Sequence, residues 1–258
     1  MRLAPVFAAV TRRTFVMFKS YSFNSISSLV TMYLVFCLMF FGAKAIGGPV
    51  LSSAQTLEAM VVGYFVWLLA VYSYSDLSWD ITNEAQVGTL EQLYLSPVGY
   101  KWISCFVLVS NAILVYSLNI VFLLLMMVTT GKFLRLDLIS LVPILVITVA
   151  GVYGIGYMLG GLALVYKRIQ AFFQVMQFVL VAFLLAPVDR YVWAKLLPLA
   201  MGNHLAAEVM VRGKHLWQLP PADLLYLTAS SAFYLALGLA VFTRCEKAAK
   251  KVGLLGQY

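Results

Sequence analysis

Six apolar segments, each close to the length that crosses a bilayer and each followed by a short polar connection, leave this chain few ways to fold. They run over residues 23–43, 57–75, 102–129, 138–165, 169–185 and 223–242. A helix needs about 20 apolar residues to traverse a hydrocarbon core of roughly 30 Å. Lipid offers the backbone no hydrogen-bond partners, so each segment is expected to be helical throughout. Composition agrees: 63% of the 258 residues are apolar and 11% charged, against roughly 45–50% and about 25% in soluble domains. The expected class is an all-α integral membrane protein with six transmembrane helices, whose residues 1–258 form a single transmembrane domain. Too little chain remains between the spans for an ordinary soluble catalytic domain.

Charge sets the orientation. Residues 1–21 interleave Arg2, Arg12, Arg13 and Lys19 with Val6, Phe7, Val10, Phe15 and Phe18, the pattern of a helix lying in the membrane interface. Arg244, Lys247, Lys250 and Lys251 follow the last span. With six crossings both termini share a side, and that side collects eleven cations against seven on the other. The positive-inside rule then places both termini in the cytoplasm; the expected location is the inner membrane of a prokaryote. The net charge of +8 is explained by anionic headgroups rather than by nucleic acid. Cys37, Cys105 and Cys245 have neither disulfide nor metal spacing. No cleavable signal peptide is expected, because the first apolar run continues for span length.

Within the spans, Asn24, Ser28 and Thr31 share one face of the first, and Tyr64 and Phe65 lie deep in a strongly aromatic second. Helix packing explains both groups, and so does a substrate pathway. The fourth span carries Pro143 and glycines 151, 154, 156, 160 and 161; Gly156 and Gly160 have the spacing that lets helix backbones approach closely. Residues 189–221 are neither span nor simple loop. Leu196 to Met210 reads there as a short amphipathic helix or helical hairpin dipping into the outer leaflet.

Several chemistries are excluded or disfavoured. No Gly-x-x-x-x-Gly-Lys-Ser/Thr phosphate loop occurs, so ATP chemistry would need a partner. Neither a metal-binding His pair nor a nucleophile elbow is present. His204 and Glu208 stand one helical turn apart, but without a third ligand they read as a surface pair rather than a metal site. No ionisable residue falls at the centre of a span, which argues against coupling to a proton or sodium gradient.

The polar island between the second and third spans is the most specific stretch. Asp80 to Tyr100 reads Asp-Ile-Thr-Asn-Glu-Ala-Gln-Val-Gly-Thr-Leu-Glu-Gln-Leu-Tyr-Leu-Ser-Pro-Val-Gly-Tyr. Val87, Leu90 and Tyr94 recur at helical spacing, and Pro97 would end the helix. Within it Glu84, Gly88, Thr89, Leu90, Glu91, Leu93, Ser96 and Pro97 form the pattern Glu-x-x-x-Gly-Thr-Leu-Glu-x-Leu-x-x-Ser-Pro. This resembles the first cytoplasmic loop of the membrane subunits of type-2 ABC exporters. The resemblance implies that residues 80–97 form a coupling helix docking into an ATP-binding cassette subunit, and that residues 189–221 form an external re-entrant hairpin, matched more loosely by Pro198-Leu199. It further implies a homodimer, or a pair with a similar permease subunit, bound to two ATP-binding subunits. ATP and Mg would sit on those partners, with no cofactor bound here directly and no catalytic or metal residue. The first, second and fifth spans line the path in that family, which makes Asn24, Ser28, Thr31, Tyr64, Phe65, Phe172, Phe173 and Phe178 the pathway candidates by position. Aromatic, weakly charged walls and short termini favour an amphipathic or hydrophobic cargo such as a drug, natural product or lipid. Export of polysaccharide or a lipid-linked glycan, a stand-alone carrier or channel, and a lipid-converting enzyme remain the alternatives.

Overall fold

The computed structural model describes residues 3–46, 48, 53–87, 100–166 and 170–251. Among them every regular element is helical. We number the α-helices α1 (Leu3–Ser20), α2 (Ser22–Ile46), α3 (Ala54–Val87), α4 (Tyr100–Thr130), α5 (Leu138–Tyr166), α6 (Gln170–Leu184), α7 (Pro198–Met210) and α8 (Pro221–Lys251). Short 3-10 turns at Val192–Leu196 and Leu216–Gln218 flank α7. Five helices, α2, α3, α4, α5 and α8, contain stretches long and apolar enough to cross a membrane. The protein is thus an all-α, multi-pass membrane protein.

The predicted fifth span, 169–185, is observed as α6, an apolar helix of 15 residues. At 1.5 Å per residue the described part is about 22 Å long. The predicted second span ends at Ser75, yet α3 continues unbroken to Val87. The physical reason is local: residues 76–87 contain neither glycine nor proline, so nothing there stops a helix. The predicted sixth span likewise extends beyond Phe242 to Lys251, where lysines near the C-terminal end suit the helix dipole.

The helices sort into two compact units, the first comprising residues 1–65 and 98–134 and the second residues 66–97 and 135–258. In the first, α1 lies on α4: the Phe7 and Phe106 rings meet edge to face at 5.5 Å and the Thr11 and Ser110 hydroxyls share a 2.9 Å hydrogen bond. Phe36 and Phe40 of α2 are fully buried, and Phe36 packs on Tyr64 of α3. Tyr33 and Tyr64 both reach Phe122 of α4. The remainder of α2 is different, since only 11% of its most apolar stretch is buried. Leu34, Leu38 and Phe41 face outward, as expected where lipid or another chain replaces water.

The second unit is built on the pair α5 and α8. A Cβ added at Gly238 would stand 2.7 Å from the Gly154 Cα, and one at Gly154 would stand 2.6 Å from the Leu235 backbone nitrogen. Neither site tolerates a side chain, so the two backbones touch, the packing mode by which membrane helices gain dispersion energy without a hydrophobic drive. Gly154 and Gly238 are glycines at which the sequence reading, which singled out Gly156 and Gly160 by their spacing, did not place this contact. Above the pair, the segment after α6 folds back. Val188, Ala194, Ala200, Met201, Leu205 and Val209 bury themselves against Ile144 and Leu227.

Several serine and threonine hydroxyls inside the spans are satisfied locally. Ser73, Ser117, Thr148 and Thr243 each donate to the carbonyl four residues earlier. This lets polar residues sit in apolar helices without a partner from another helix.

Candidate functional site

The sequence offered three sets of functional residues: the coupling segment, the pathway candidates and the segment 189–221. Of the first, Gly88, Thr89, Leu90, Glu91, Leu93, Ser96 and Pro97 lie outside the described residues, and Glu84 is described only as part of the α3 backbone. What is described is the approach to them. The apolar part of α3 ends at Ser75 and the helix runs on for 12 further residues to Val87. That extension is about 18 Å of continuous helix, with Glu84 in its last turn.

The pathway candidates divide by exposure. In the first unit, Asn24 and Thr31 are exposed on α2 and Ser28 is half-buried. The Thr31 hydroxyl donates to the Ser27 carbonyl at 2.9 Å, so it needs no partner from another helix. Tyr64 and Phe65 are buried, and the Tyr64 hydroxyl donates to the Met32 carbonyl at 2.6 Å. Tyr64 therefore pins α3 to α2, a packing role. In the second unit, Phe172 and Phe178 of α6 are exposed while Phe173 is buried. The Tyr74 hydroxyl donates to the Phe173 carbonyl at 2.9 Å, and the Trp67 indole N–H donates to the Gln177 carbonyl at 3.5 Å. These two bonds fasten α6 to the second half of α3.

The third set has the densest polar chemistry. The segment between α6 and α8 forms a short helix, α7, between two 3-10 turns, as the amphipathic pattern from Leu196 to Met210 predicted. Pro198 opens α7 at its first position, where its fixed φ is already helical and its missing N–H is not needed. A Cβ at Gly202 would fall against the Thr148 side chain, so α7 seats tightly on α5.

Glu208 overturns its reading as a surface residue paired with His204. Its side chain is 7% exposed and binds two cations, Arg212 one turn on and Lys214 at 2.5 Å. The cause is the burial of α7: Leu205, Val209 and Met210 draw their side of the helix into the core, and a buried carboxylate requires compensating charge. His204 instead comes within 3.9 Å of Asp189. Among the described residues no group of three or more His, Cys, Asp or Glu could hold a metal ion.

A second tie joins the start of α5 to the far end of this segment. Asp137, immediately before α5, accepts a 2.6 Å hydrogen bond from the Ser140 hydroxyl and lies 2.8 Å from His215 Nδ1. Ser140 Oγ in turn accepts from the Leu216 N–H at 2.9 Å. The Ser140 hydroxyl, and after it His215, hold the Asp137 carboxyl below its usual value of 3.8. A third tie is the 2.8 Å ion pair of Lys195 with Asp223 at the start of α8. The Asp223 hydrogen bond raises the Lys195 ammonium above its usual 10.5. The Glu208–Arg212 spacing was visible in the sequence as an i, i+4 pair, but its burial was not. Asp137 and His215 are 78 residues apart, and nothing local announces their meeting.

What this arrangement does chemically is hold charges in fixed places: the Ser140 hydroxyl donates to a carboxylate held below its usual value, a weak base, and accepts from the Leu216 N–H. Comparison with known families and with curated proteins brings no match to this chain.

Proposed function

We propose that this chain is the membrane-spanning subunit of an ATP-driven exporter, coupled through residues 84–97 to a separate ATP-binding subunit. The observation that carries the reading is the ordered pattern from Glu84 to Pro97, placed directly beyond the end of a transmembrane helix. The continuity of α3 supports it. A helix that leaves the membrane without a hinge passes a displacement at Val87 back into the span, which a flexible linker would absorb. Each of the two ATP-binding subunits would close on ATP and Mg, push on this lever and change the packing of the spans. Such coupling works only if closure favours one membrane conformation over the other.

In this reading α6 is the fifth of six crossings, both termini are cytoplasmic, residues 189–221 lie at the outer face, and two copies of this chain or of a similar subunit form the path. In the first unit exposed Asn24 and Thr31 suit a surface toward a second subunit, with Tyr64 and Phe65 buried; in the second unit exposed Phe172 and Phe178 suit such a surface, with Phe173 buried. The cargo is amphipathic or hydrophobic, matching aromatic walls with little charge.

The test is purification of the full-length chain from its native membrane, followed by reconstitution. An ATP-binding subunit should co-purify, and transport into proteoliposomes should require ATP. Replacing Glu91 with alanine should leave ATP hydrolysis by the complex partly intact while abolishing transport. Transport without nucleotide, or labelling of residues 84–97 from outside the cell, would overturn the proposal in favour of a stand-alone carrier.

A further inference from the structure

Residues 135–140 and 210–217 lie side by side as one ledge at the end of the second unit. The Arg135 N–H donates to the Met210 carbonyl at 3.0 Å, Asp137 meets His215, and the Leu216 N–H meets Ser140. Gly213 has a φ of +69°, and the Arg135 guanidinium lies over it, its central carbon 3.0 Å from where a Cβ would stand. Gly213 is flanked in the chain by Arg212 and Lys214, so three cations gather here. They face one carboxylate, that of Glu208, already shared by Arg212 and Lys214. Asp137 is engaged by Ser140 and His215, and among the described residues Arg135 has no acidic partner. The ledge carries unmatched positive charge.

Its surroundings are apolar and outward-facing. Leu138, Ile139 and Trp217 are exposed by 55%, 72% and 73%. Trp217 stacks on His215 with ring centroids 5.6 Å apart. Leu138 begins a 29-residue apolar helix, so the ledge stands where a span enters the headgroup layer, the depth that tryptophan favours. There Leu138, Ile139 and Trp217 meet the bilayer whatever answers the charge, and the anions nearest the cations are lipid headgroups. A lipid meets both the charge and the apolar side chains, its phosphate on the Arg135 fork and its acyl chain along the start of α5.

We infer that this ledge binds the phosphate of an anionic phospholipid in the leaflet it meets. The inference rests on the membrane-spanning fold and not on the transport reading. It is tested with the full-length protein in mild detergent, offered phosphatidylglycerol and phosphatidylcholine at equal mole fraction, with retained lipid counted by native mass spectrometry. Phosphatidylglycerol should be retained in preference. Arg135→Ala should weaken that retention about five-fold, the factor expected for one basic residue at a lipid surface, and leave phosphatidylcholine unchanged. Arg135→Lys should keep most of it. Nitroxide-labelled phosphatidylglycerol should quench tryptophan emission in the wild type more than in Trp217→Phe. Equal retention of the two lipids, or wild-type retention by Arg135→Ala, would overturn the assignment; should that variant aggregate, Arg135→Gln is read in the same way. Displacement of phosphatidylglycerol by inorganic phosphate alone would overturn it in favour of a soluble anion.

Discussion

Glu208 has two cationic partners, and both are more exposed than it is. Removing the carboxylate therefore frees two charges that can still reach water, whereas removing one cation leaves the other in place. Glu208→Gln is expected to cost about 1–3 kcal/mol, less than the loss of one member from a fully buried pair, and Arg212→Ala only a fraction of that. Thermal unfolding of the purified protein checks the order. Asp137 and Lys195 predict opposite pH dependences. The Asp137 carboxyl is depressed in the folded protein, so its stabilisation is complete above 3.8 and disappears as pH falls through the lowered value. The Lys195 ammonium is raised, so its contribution is complete below 10.5 and is lost as pH rises through the raised value. Melting temperature measured across both limits should lose its acid component in Asp137→Asn and its alkaline component in Lys195→Met. Neither tie was legible beforehand, because Asp137 with His215 and Lys195 with Asp223 join residues far apart in the chain. Sequence reasoning reaches only as far as a helix turn: it paired Glu208 with His204, one turn back, and it could not see that α7 would be buried or that Arg212, one turn on, would be the partner.

At the scale of the element, the α5–α8 contact makes the sharpest prediction. Gly238→Ala or Gly154→Ala inserts a methyl where a neighbouring backbone already stands, and separating the helices should cost about 1–3 kcal/mol or more. Gly42 on α2 has nothing within 4 Å of its would-be Cβ. Gly42→Ala is thus the control, expected to remain within about 0.5 kcal/mol of the wild type. Melting of the three variants in one detergent decides between packing and helix propensity as the cause. The elements themselves were largely legible. Apolar length gave the cores of α2, α3, α4, α5 and α8, and the N-terminal basic pattern gave α1. Boundaries were less so, because hydropathy reports where lipid ends and not where a helix ends. Residues 76–87 are polar and still helical, since no breaker precedes Gly88.

For the whole molecule, the proposed coupling makes stiffness in α3 a functional property. Inserting Gly-Gly between Asp80 and Glu84 should leave the protein folded and inserted, because that stretch lies beyond the apolar part of the helix. It should nevertheless cut transport by the assembled complex far more than it cuts ATP hydrolysis. Parallel assays of transport and hydrolysis check this, and an undiminished transport rate would remove the lever from the account. The pathway candidates were assigned by position, and the structure separates them by exposure. Position could suggest that Tyr64 faces a cavity; only the packed structure brings its hydroxyl to the Met32 carbonyl. The direct meeting of Gly154 and Gly238 also bears on biosynthesis. The ribosome delivers α5 well before α8, so the newly inserted fourth crossing waits in lipid with a bare furrow along its side. That interval is when a wrong neighbour could occupy the furrow, and a chain cut short before Gly238 would keep it permanently open for quality control to find.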